Sequence, residues 1–175
     1  MVRFEAESAL IIEVPAAEAV VGRHRSELDA NAALGIPAHI TVLAPFMPTS
    51  RLAAPEYAQL KRLFAAVKAF DFRLDHTDWF GSTVLWLGPQ DPTPFRELTE
   101  VVFAAFPEFP PFENQFDEVV PHLTVGHESP IEAMRRAERD IKSSLPVLGR
   151  AAAVTLMHEV SPRGGWEASA SFSLG

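Results

Sequence analysis

Hydrophobic positions recur along the chain in two periods, and each change of period marks an element. Residues 9–14 form an apolar run, predicted as a strand. Residues 16–34, entered through Pro15, have helical composition, and Gly35 suits the left-handed residue that closes a helix. A second strand is predicted over 39–44, between Pro37 and Pro45. Over residues 55–70, Leu60, Leu63, Phe64 and Val67 fall at helical spacing. Across residues 70–76 apolar and polar side chains then alternate, with Phe70, Phe72 and Leu74 set against Asp71, Arg73 and Asp75. Residues 82–87 are rich in strand formers and Gly81 marks the turn before them, so the two segments read as a hairpin.

The second half repeats this order. Thr93-Pro94 and Ser129-Pro130 each join a capping hydroxyl to a proline suited to the first helical turn, predicting helices over 94–106 and 130–145. Residues 121–126, 151–159 and 167–174 read as strands, the last two joined through Ser161-Pro162-Arg163-Gly164-Gly165. Strand–helix–strand–strand thus occurs twice, from His39 and from His122, and each copy follows a further helix. The expectation is one domain over 1–175 with two pseudo-symmetric lobes, the repeats lying near 38–88 and 121–175.

Residue identity between the halves is low except at one place. Ala38-His39-Ile40-Thr41-Val42 and Pro121-His122-Leu123-Thr124-Val125 both read His-x-Thr among apolar neighbours. On a strand, alternate side chains share a face, so each copy presents an imidazole and a hydroxyl to one side and apolar groups to the other. A lone strand histidine is usually a hydrogen-bonded, half-buried residue. Two at matching positions of a repeat point instead to a pair facing one groove. Imidazoles with an ordinary pKa of about 6.5 suit acid–base work near neutrality. One accepts a proton from water or a hydroxyl, the other protonates a leaving oxygen. The threonine hydroxyls are placed to bind phosphoryl oxygens. The scheme needs no metal and no cofactor.

Composition narrows the chemistry. The chain has 175 residues, 47% hydrophobic and 22% charged, as ordinary globular domains do. The lack of cysteine excludes disulfides, thiolate metal sites and cysteine nucleophiles, and suits the expected cytoplasmic location. No segment approaches the roughly 18 apolar residues of a membrane helix. The start of the chain lacks the basic and apolar regions of a signal peptide. With 15 Lys and Arg against 23 Asp and Glu, the net charge is −8, which argues against a long nucleic-acid surface. A small phosphorylated ligand or an RNA end stays open as the partner, with no membrane involved, and the chain is expected to be a monomer.

At His39-Ile40-Thr41 and His122-Leu123-Thr124 the chain resembles the 2H phosphoesterase superfamily, in its bacterial 2′-5′ RNA ligase-like (LigT-like) branch. The size, Ala44-Pro45-Phe46 after the first motif and the closing hairpin with Trp166 support the resemblance, which spans nearly the whole chain. It implies an α+β fold of two lobes, each an antiparallel sheet with outer helices, around a central active-site groove. It also implies cleavage of a 2′,3′-cyclic phosphate or a 2′-5′ phosphodiester, reversible as ligation in some members, and so a cyclic nucleotide among the expected partners. By the same resemblance His39 and His122 are acid and base, and Thr41 and Thr124 bind phosphate. A non-catalytic nucleotide-binding protein of the same fold and a 3′-end-trimming RNA exonuclease are the competing readings.

Phe46, Trp79, Phe80 and Trp166 are candidate walls for a base to stack on, with core packing as the plainer role of each. Arg163 reads as a solvated turn residue and His158 as a strand residue. Asp75 and His76 are set on opposite faces by strand alternation, so they form no metal cluster.

Overall fold

The computed structural model describes residues 5–175; residues 1–4, where the expectation of no signal peptide falls, lie outside it. The elements are β1 (Ser8–Glu13), α1 (Pro15–Leu28), α2 (Ala30–Ala33), β2 (His39–Leu43), α3 (Ala54–Ala65), β3 (Phe70–Phe80), β4 (Val84–Pro89), α4 (Thr93–Ala105), β5 (Leu123–His127), α5 (Ile131–Lys142), β6 (Val147–Ala151), β7 (Ala153–Glu159) and β8 (Trp166–Ser173). The strands build two four-stranded antiparallel sheets, ordered β2-β1-β7-β8 and β5-β4-β3-β6. This is the α+β architecture expected from the sequence.

The two sheets match position for position. Each motif strand is an edge strand beside the strand that precedes it through a helix: β2 beside β1, and β5 beside β4. The two edges touch each other. Helix α1 links β1 to β2 yet packs on β5, while α4 links β4 to β5 yet packs on β2. After each motif the chain crosses over, so β3 joins the sheet of β5 and β7 joins the sheet of β2. One apolar core therefore runs beneath both sheets, holding Leu10, Ile12 and Ile40 together with Leu74, Leu85 and Leu123.

Several boundaries differ from the sequence reading, each for a local reason. The helix expected over 16–34 breaks at Asp29, whose backbone is extended and whose carboxylate accepts from Asn31 N at 3.1 Å, starting α2. The helix α3 stops before Phe70 because residues 67 and 69 pair with the chain end: Ala69 N donates to Gly175 O at 2.9 Å and Gly175 N to Val67 O at 2.8 Å. Ser129 caps nothing; its hydroxyl donates to Leu28 O at 2.8 Å, and α5 begins without a side-chain cap. The strand expected over 151–159 is β7, which starts at Ala153; Ala151 instead ends β6, a strand of the other sheet that the sequence reading did not predict. Strand β6 escaped the sequence because Leu148 is exposed and Gly149 has no side chain, which spoils the alternation; Gly149 leaves the space that the Phe72 ring fills. Since β6 intervenes, β4 and β8 are not equivalent: β4 lies beside a motif strand, whereas β8 is the far edge.

Candidate active site

His39 opens β2 and Thr41 shares its face, while Ile40 and Val42 on the other face are 0% and 2% exposed. His122 stands just before β5 with Thr124 inside it, and Leu123 and Val125 are buried in the same way. Because the apolar faces of both strands enter one core, both His/Thr faces point away from it. All four side chains are half-buried.

The two imidazoles are held alike. Nδ1 of His39 lies 2.7 Å from the carbonyl oxygen of Pro37, and Nδ1 of His122 lies 2.7 Å from that of Val120. In each motif the partner is the carbonyl two residues earlier. A carbonyl oxygen only accepts, so Nδ1 carries the hydrogen and donates it, leaving the Nε2 lone pair free. Burial pushes the His39 pKa down to about 4; the hydrogen bond to Pro37 opposes this, and the positive charges of Arg25 and His122 reinforce it. His122 is lowered too, again by burial, with the bond to Val120 opposing.

Different surroundings hold the two rings. Behind His39, Arg25 and Asp29 form a buried ion pair of 3.2 Å, their side chains 3% and 2% exposed, and the same guanidinium donates to Ile36 O at 3.1 Å. Ile36 precedes Pro37, so this pair anchors the turn that carries the His39 acceptor. Around His122 the wall is aromatic. Phe80 meets it edge-on, centroids 4.8 Å apart at 90°, and Trp86 lies at 5.8 Å. Strand register places them: Trp86 pairs with Thr124 across β4–β5, and cross-strand partners share a face. Over His39 and Thr41 lies a cleft of about 300 Å³, also lined by Glu7, Ala9, Ile11, Asn31, Met157 and Trp166. This cleft does not extend to His122 or Thr124.

The 2′-5′ RNA ligase superfamily profile matches residues 13–162, which include both motifs. The chain belongs to the 2′-5′ RNA ligase superfamily. Its fold is shared by solved structures of low sequence identity. The Thermus thermophilus protein TT0787 superposes with a TM-score of 0.65 at 20% identity, covering 96% of this chain and 97% of that one. Escherichia coli LigT complexed with 3′-AMP gives 0.62 at 17% identity, covering 98% and 99%. LigT complexed with phosphate gives 0.59 at 18% identity over the same shares. No curated protein matches the chain.

In this superfamily member the aromatic candidates separate. Phe80 stands against His122, and Trp166 lines the cleft over His39. Phe46 does not serve as a stacking wall: it is 3% exposed and meets Phe106 and Phe109 edge-on at 5.3 and 5.7 Å, a core residue. Trp79 is partly buried against the core, and Arg163 is exposed in its turn. Asp75 and His76 are not on opposite sides, because a bulge between Leu74 and His76 interrupts the alternation and brings Nδ1 of His76 to 2.6 Å from Asp75 Oδ1. Among the described residues no group of three His, Cys, Asp or Glu is placed to hold a metal ion, and no helix is long and apolar enough to cross a membrane. The sequence reading missed Arg25, Asp29 and Trp86. Arg25 sits at i, i+4 to Asp29, a spacing that suggests an ion pair but not its burial, and only strand register reveals Trp86.

Proposed function

We propose that the protein is a metal-independent phosphodiesterase that opens 2′,3′-cyclic phosphates or cleaves 2′-5′-linked nucleotides and RNA ends, acting as a cytoplasmic monomer. The observation that carries this reading is the matched pair of imidazoles, each donating Nδ1–H to a carbonyl two residues back and each keeping Nε2 free. A neutral imidazole takes a proton from water through Nε2. The water oxygen bonds to phosphorus, the bond from phosphorus to a ribose oxygen breaks, and the second imidazole, charged, gives its proton to that oxygen. Burial favours the neutral form of both rings in the free protein. A bound phosphate anion supplies the opposite charge that lets one of them hold its proton. Thr41 and Thr124 sit beside the imidazoles as hydrogen-bond donors to the non-bridging oxygens. The ligands in the LigT structures, 3′-AMP, ATP, NADP+ and phosphate, all carry phosphate, in keeping with a small phosphorylated substrate.

The test is hydrolysis of 2′,3′-cyclic nucleotides by the purified protein with and without EDTA. Turnover that persists in EDTA and disappears in His39→Ala and in His122→Ala supports the reading. Tight nucleotide binding with no product after long incubation assigns the protein to a binding role instead.

A further inference from the structure

We infer that the cleft beside His39 is a nucleobase pocket in which Glu7 selects guanine. This rests on the phosphodiesterase reading and names the substrate class of that site.

Side chains on one face of β1, an inner strand, and of Glu7 just before it line the cleft in a row. Glu7, Ala9 and Ile11 all face it, whereas Leu10 and Ile12 enter the core. Ile11 pairs with Thr41, so the row begins at the proposed phosphate position. It ends at Glu7 four residues away, about 13 Å at strand spacing. That span matches the reach of a nucleoside from its phosphate to the far edge of its base.

The middle of the row is apolar. Ala9, Ile11 and Met157 form a small cluster apart from the main core, with Ala44 and Trp166 packed against it. A flat ring laid on this floor covers apolar surface, and Trp166 closes one side. The far end is acidic. Glu7 N donates to Glu159 Oε2 at 3.0 Å, and the negative charges of Glu159 and Glu113 lie close enough to act on the Glu7 carboxyl. A negative field at this end rejects a second phosphate and favours a base edge rich in hydrogens.

A carboxylate only accepts, through two oxygens side by side. Guanine offers N1–H and an N2 amine in that arrangement. Adenine and cytosine offer one amine. Uracil offers N3–H between two carbonyls, which the carboxylate repels. Partial desolvation and the two neighbouring carboxylates push the Glu7 carboxyl above the usual carboxylate range, so donors from a ligand relieve an unfavourable charge.

The test is calorimetric titration of 3′-GMP, 3′-IMP and 3′-UMP into the native protein and Glu7→Ala. Inosine monophosphate lacks only the N2 amine of the guanosine form. Native protein is expected to bind 3′-GMP on the order of tenfold more tightly than the other two. Glu7→Ala is expected to bring all three within about twofold of one another. Glu7 is exposed, and circular dichroism checks that the variant keeps the fold. Equal binding of the three by native protein, or a guanine preference that survives Glu7→Ala, overturns the inference. Binding is read without turnover, so the two proposals fail separately. A Glu7-dependent preference without hydrolysis removes only the catalytic reading, and hydrolysis without the preference removes only the guanine pocket.

Discussion

Nδ1 of His39 donates to the carbonyl oxygen of Pro37 across 2.7 Å, and the bond fixes which nitrogen of the ring can work. His122 repeats the arrangement with Val120. Both rings are expected to be the Nδ1–H tautomer at pH 7. Long-range nitrogen–proton NMR correlations read this directly. Two Nε2–H tautomers would remove the free lone pairs from the groove and with them the proposed base.

Acid should destabilise the fold through His39. The unfolded imidazole takes its proton near 6.5, whereas the folded one takes it only near 4. Between those values the unfolded state binds the extra proton, so stability falls as the pH drops through this window and levels off below it. The full difference is worth up to about 3 kcal/mol. Urea unfolding of native protein and His39→Gln at pH 7 and pH 4.5 should show a smaller acid loss in the variant. Equal losses would mean that His39 titrates normally.

Arg25 is a positioning residue for the same ring. Arg25→Met removes the donor to Ile36 O and leaves Asp29 buried without its cation, a change that typically costs about 3–5 kcal/mol. It also removes a positive charge that lowers His39, so the His39 pKa should rise from about 4. An NMR titration of the folded variant distinguishes this from a general loss of packing, which predicts no directed shift.

Phe80 keeps water from His122. Phe80→Ala should cost about 0.5–1.5 kcal/mol for the lost ring contact beyond its buried area. With the desolvation relieved, the His122 pKa should move up toward 6.5 while that of His39 stays low. Movement of both together would show that the rings are not separately walled.

Much of this was legible in the residues. The paired His-x-Thr copies marked which face of each strand is kept out of the core, because strand alternation alone separates His39 and Thr41 from the buried Ile40 and Val42. The pairing of strands was not legible. A local pattern shows that residues 70–76 form a strand, but not that it runs on to Phe80 or that β3 crosses to the sheet of β5. Residues defined by that pairing were therefore hidden, among them Trp86 opposite Thr124 and the Ala9–Ile11 floor opposite Met157 and Thr41. Phe46 was misleading for a related reason, since a phenylalanine beside a motif reads the same whether it faces a ligand or Phe106. The bulge at Asp75 belongs with these, being a break in register that composition does not signal.

The central claim is that two imidazoles act as one acid–base unit. The direct measurement is the hydrolysis rate of a 2′,3′-cyclic nucleotide by native protein, His39→Ala, His122→Ala and the double variant, in EDTA. Each single variant is predicted to lose on the order of 10²–10⁴-fold. The double variant should be little worse than either, because groups that act together are not additive. A double variant that turns over like native protein would contradict the account.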